Sequence, residues 1–185
     1  MDTKNDDTGK RLRRERGLTL IELAAVIAIT AITAAAALPD FGALVAMRRL
    51  QGAAGSLAAD LQFARSEALA RNRSLRLSVR AHADASCWIV HTGAAGDCDC
   101  ANASVVACAP GATAIRSVVL PTADRVVVAG NVGSIVFDPL HGTTSPTGTL
   151  RLVDARGRAV HHVVNIVGRV RSCSPVRAVA GYPAC

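Results

Sequence analysis

The residues able to do chemistry in this sequence fall at its two ends, and the later set is the simpler to read. Gly168-Arg169-Val170-Arg171-Ser172-Cys173 is followed closely by Arg177. Two arginines two positions apart project from one face of a strand. A guanidinium fork binds phosphate oxygens bidentately, and neutralising a nucleic-acid backbone gives affinity that ignores sequence and falls steeply with salt. The plainer account is a solvated sheet edge whose charges hinder pairing with other edges. Charge alone favours that account.

The earlier set is Gly17-Leu18-Thr19-Leu20-Ile21-Glu22, which opens an apolar segment running to Pro39. Residues 18–38 hold twenty-one positions and a single ionisable side chain, Glu22. At helical rise they extend about 31 Å, roughly one bilayer core. Lys10, Arg11, Arg13, Arg14 and Arg16 precede the segment, so the positive-inside bias holds residues 1–17 in the cytoplasm and sends residues 40–185 across the membrane. A secretory signal peptide has a shorter apolar core and no reason to carry the glutamate. A carboxylate at membrane depth costs of order 2.5 kcal/mol or more unless it is paired, which makes Glu22 a functional residue in need of a partner.

The remaining reactive side chains point away from catalysis. Cys87, Cys98, Cys100 and Cys108 crowd the middle of the chain, and Cys173 and Cys185 bracket its last thirteen residues. Their spacing does not match paired C-x2-C zinc ligands, so disulfides in an oxidising compartment are expected and no metal is. Closing the terminal pair would restrict the unfolded chain by about 3 kcal/mol. Among the first four the pairing stays open, although Cys98 and Cys100 are too close to favour each other. His161 and His162 would face opposite sides of a strand and cannot easily share an ion. His82, His91 and His141 form no recognisable motif. With no glycine-flanked nucleophilic serine, paired-carboxylate motif or phosphate loop either, neither an enzyme, a cofactor nor a small-molecule substrate is expected.

These residues must be positioned by two kinds of element. Over residues 39–73, Leu50, Ala54, Leu57, Leu61, Ala64 and Ala68 recur at alternating spacings of four and three, an amphipathic helical stripe. Arg48, Arg49, Asp60, Arg65, Glu67 and Arg71 mostly fall off it, as a solvated face should, and bends are expected near Pro39 and near Gly42, Gly52 and Gly55. From residue 74 the period becomes two. Strands are predicted over 75–80, 88–90, 117–120, 125–129, 134–137, 149–153, 160–167 and 169–171, with a long surface loop over 93–113 and a shorter one over 142–148. Short strands at this spacing indicate an antiparallel, sandwich-like arrangement. The expected architecture is therefore α+β, a long amino-terminal helix packed on a β-rich head over 74–185. Beyond residue 17 the chain has 15 basic and 10 acidic residues, a net +5. Residues 151–185 account for that excess, with six arginines against Asp154 alone.

The segment Gly17 to Glu22 resembles the prepilin signature of type IV pilins and type II secretion pseudopilins. The resemblance implies cleavage after Gly17 by a prepilin peptidase, methylation of the new terminus at Leu18, and pairing of Glu22 with the terminal amine of a neighbouring pilin during assembly. Pro39 falls at the matching helix-kink position. Leu61-Gln62-Phe63-Ala64-Arg65-Ser66-Glu67-Ala68, Ile135-Val136-Phe137-Asp138-Pro139 and the Gly168 to Cys173 ending are similar to the GspH/FimT family of minor pilins and pseudopilins. The middle, with its cysteines, resembles no family.

The ending is similar to that of FimT-type pilins, a branch implicated in DNA capture during natural transformation. This resemblance implies phosphate contacts from Arg169 and Arg171 and a weaker one from Arg177. With Trp88 and Tyr182 the only large aromatics besides three phenylalanines, stacking of single-stranded bases is poorly supplied and double-stranded DNA is the expected partner. Other expected partners are major and minor pilins and the inner membrane, with a periplasmic head assembled into a surface pilus. The rival expectation is an H-type minor pseudopilin of type II secretion, a structural part that binds no DNA.

Overall fold

The structure, a computed structural model, describes residues 17, 19–102, 105–175 and 179–185, with backbone alone at 36–40, 101 and 102. Among these, a 52-residue helix, α1 (Leu20–Arg71), precedes eleven strands and a short 3-10 turn. Both helix ends have identifiable caps. The Glu22 N–H donates to Thr19 Oγ1 at 3.3 Å, and the Glu22 carboxylate lies in the first turn, where the helix dipole favours an anion. At the other end Asn72 takes a left-handed φ of 48°, and the Arg73 N–H returns to the Ala68 carbonyl at 3.1 Å. Pro39 and the three glycines leave α1 a single continuous element.

The chain divides into two units, residues 1–41 and 42–185. In the first, the described side chains between Leu20 and Ala35 are exposed. Among the described residues no helix is long and apolar enough to cross a membrane.

In the second unit all six stripe residues, Leu50 to Ala68, are fully buried. They pack in one core with the inner faces of two antiparallel sheets. The first sheet contains β1 (Leu75–Ala81), β2 (Ala85–His91), β5 (Ala114–Pro121), β7 (Ser134–Phe137) and β8 (Thr144–Ser145), in the order β5-β2-β1-β7-β8. The second contains β6 (Val126–Gly130), β9 (Gly148–Asp154), β10 (Ala159–Val164) and β11 (Val170–Cys173), in the order β11-β10-β9-β6.

The stretch 93–113, expected as a loop, instead contains a hairpin, β3 (Cys98–Asn102) and β4 (Val105–Cys108). Its physical basis is covalent and apolar. Cys87 pairs with Cys100 and Cys98 with Cys108, so β3 is fastened to β2 and to β4. The cysteines pack with Ile89 in a small second core. As a result β2 is buried on both faces, with Trp88 and Val90 turned to the helix core and Cys87 and Ile89 to the hairpin.

Asp60, assigned above to the solvated face, is also different. It is only 4% exposed, accepts a hydrogen bond from the buried Trp88 indole at 2.8 Å and pairs with Arg116 at 3.0 Å. The Arg116 guanidinium in turn lies 4.6 Å over the Phe63 ring. A carboxylate can be taken from water only when its oxygens find such partners.

Candidate nucleic-acid interface

The carboxy-terminal basic region is built on β11, an edge strand paired on one side with β10. The turn between them is fixed by Asn165. Its side chain accepts the Arg169 N–H at 2.9 Å, and its own carbonyl accepts the Gly168 N–H, also at 2.9 Å. Gly168 has a left-handed φ of 74°, and an added Cβ would come within 2.5 Å of the Gly142 carbonyl and 2.7 Å of Arg65 Nε. Only glycine fits there. The strand predicted over 169–171 therefore begins at Val170, and Arg169 stands in the turn just before it.

Arg169 and Arg171 are both exposed, and among the described residues neither faces a carboxylate. Arg171 sits opposite Val163 of β10. The single acid of residues 151–185, Asp154, is buried and held by Arg158 at 2.6 Å. It is therefore not available to the other arginines. Arg177 and Leu18 lie outside the described residues, while Gly17 is described and exposed.

Beside the turn, a cleft of about 610 Å³ separates it from the last turns of α1. Gln62, Arg65, Ser66 and Leu69 form its helical wall, and Val167 and Arg169 belong to the other. The end of the chain is held close to β11. Cys173 pairs with Cys185, the Ser174 N–H donates to the Pro183 carbonyl at 2.8 Å, Val179 is buried, and Gln51 of α1 donates to the Ala180 carbonyl at 2.9 Å.

The histidines are accounted for locally. His162 is fully buried, with Nδ1 at 2.8 Å from Ser172 Oγ, and burial pulls its pKa down to about 4. His161, its neighbour, is only half-buried, on the other face. His91 is buried between Ser78 Oγ and the Thr92 carbonyl, each at 2.9 Å, and burial lowers its pKa too. His82 lies 2.7 Å from Asp99 with Cys100 nearby, but that sulfur is committed to a disulfide and is no thiolate ligand.

The cleft residues Gln62, Arg65 and Ser66 were not singled out from the sequence as binding residues. The usable signal was that Arg65 lies on the helix one turn from Leu61 and Leu69, within reach of whatever packs over the helix end.

A long helix whose apolar stripe is covered by antiparallel sheets, behind a prepilin-like amino-terminal signature, defines the pilin class of protein. Within it, the chain belongs to the GspH family: the profile described as type II transport protein GspH matches residues 53–168, and that of the prokaryotic N-terminal methylation motif matches residues 12–38. The family match ends at Gly168, one residue before Arg169. Among solved structures the chain is similar to the type IV minor pilin FimU of Pseudomonas aeruginosa, at 21% identity and a TM-score of 0.50, over 69% of this chain and 93% of that one. A second crystal form of the same pilin aligns at 21% identity and a TM-score of 0.47, over 68% and 97% of the respective chains. No curated protein matches the sequence.

Proposed function

We propose that this chain is a minor type IV pilin whose head binds duplex DNA through Arg169 and Arg171, with Arg177 as a third contact, for DNA uptake in natural transformation. The observation that carries the reading is an uncompensated basic end. Six arginines share one acid, and that acid is turned inward onto Arg158. Exposed guanidinium groups at the β10–β11 turn and on the β11 edge, with no carboxylate partner among the described residues, offer phosphate oxygens their bidentate fork. Phosphate contacts position without specifying, so little sequence preference follows.

In this reading a prepilin peptidase cuts after Gly17 and residues 18–38 hold the protein in the inner membrane. The head stands in the periplasm until assembly among other pilins, near the pilus tip. A second reading is favoured by the description of the matching family and by the end of that match before Arg169: a minor pseudopilin of type II secretion, structural and without a nucleic-acid role.

The test is gel retardation of a short duplex by the purified full chain in detergent, disulfides formed, at 50 to 200 mM salt. Retardation that is strong at low salt, weak at high salt and abolished in the Arg169→Ala/Arg171→Ala double variant is expected. Equal retardation by the double variant removes the site assignment, and no retardation by the parent favours the pseudopilin.

A further inference from the structure

We propose that Arg65 of the helix is a further phosphate-binding residue of this interface, and that the DNA backbone enters the cleft between the end of α1 and the β10–β11 turn. The inference rests on the DNA-binding reading above and adds to it a residue far away in sequence. Three observations converge on the cleft.

The first is that Arg65 is held in place yet uncommitted. Its Nε donates to the Gly142 carbonyl at 3.0 Å, which fixes the direction of the guanidinium. Its charge meets no carboxylate among the described residues. A fixed, half-buried cation has already lost most of its rotamer freedom, so ordering it on a ligand costs little more.

The second is the way Gly168 is packed. Its backbone lies against the Arg65 side chain so closely that no Cβ fits. The glycine that sets the turn thus also brings the helix cation next to Arg169, and both line the same cleft. Arg171 follows two residues on, exposed on the β11 edge that the turn leads into. Arg65, Arg169 and Arg171 then form a row of cations drawn from two elements.

The third is the lining between them. Gln62 is exposed and Ser66 carries a hydroxyl, both suited to phosphate and sugar oxygens, and neither wall of the cleft brings a negative charge. The plainer role of Arg65, a clamp that only closes the 142 loop onto the helix, explains the hydrogen bond to Gly142 and leaves the open, acid-free cleft without a purpose.

The experiment measures duplex affinity of the full chain in detergent between 50 and 200 mM salt for the parent, Arg65→Gln, Arg65→Lys and Arg169→Ala. Each phosphate contact contributes about 0.9 to the slope of log affinity against log salt. Arg65→Gln is expected to lower that slope by about 0.9, as Arg169→Ala does, so that affinity lost over this salt range shrinks about three- to fourfold. Arg65→Lys, which keeps the charge, should retain the slope. A parent that binds together with an Arg65→Gln slope equal to the parent's overturns this inference alone, and a parent that does not bind overturns the DNA reading as well. Gln62→Glu at the exposed rim guards against misfolding of the arginine variants: it places an anion in the cleft and should weaken binding several-fold, and unchanged affinity would count against the cleft.

Discussion

His162 shows how one side chain makes the head sensitive to acid. It projects from β10 into the core, where its Nε2, beside the Ala54 backbone of α1, makes no hydrogen bond. Burial holds the imidazole neutral by pulling its pKa from 6.5 to about 4, whereas the unfolded chain protonates at the ordinary value. Between those pH values the unfolded state binds more protons. Stability is therefore complete above pH 6.5 and declines as pH falls toward 4, by about 3 kcal/mol at most. Thermal melts across pH 7 to 4 should show this decline, and His162→Leu should flatten it, leaving the share of His91, whose pKa burial also lowers. An unchanged slope in the variant would place the sensitivity elsewhere. At this scale the sequence was only partly readable. The opposite faces of His161 and His162 followed from strand geometry, but the inward turn of Asp60 did not, since its partners Trp88 and Arg116 lie 28 and 56 positions away.

Among the elements, α1 was the most legible because a stripe at spacings of three and four records burial directly. Every stripe residue is buried, and Leu57 at its centre belongs to the one core cluster that draws on both sheets. Leu57→Ala should cost about 2 to 5 kcal/mol in chemical denaturation, because the surrounding wall cannot collapse onto the smaller side chain. A loss below 1 kcal/mol would mean that the helix is loosely seated. The β3–β4 hairpin was illegible for the opposite reason. β3 reads Cys-Asp-Cys-Ala-Asn with no β-branched residue and β4 offers only Val105 and Val106, so the hairpin's support comes from disulfides and a small private core. The available clue was Cys98 and Cys100 at a spacing of two, which puts both sulfurs on one face of a strand. The start of β11 shifted by one residue because Gly168 and Asn165 shape a turn that period-two counting does not register.

For the molecule as a whole, the amino-terminal signature and the carboxy-terminal arginines have separate duties in the proposed reading. Glu22 occupies the first helical turn, next to the terminus that cleavage after Gly17 would create. Glu22→Ala should leave peptidase cleavage intact, seen as the normal size shift on a gel, and prevent incorporation into sheared pili. Normal incorporation would remove the pairing role. The disulfides divide the same way in space, two fastening the hairpin and one drawing Cys185 back to the strand that bears Arg171. Dithiothreitol in an assay buffer would remove that covalent tie and leave the segment after Cys173 held only by its hydrogen bonds and the burial of Val179, while the helix stripe stayed packed. A preparation that melts normally in such a buffer would thus differ from the disulfide-bonded protein at the proposed binding edge, and a negative result obtained with it would describe the reductant.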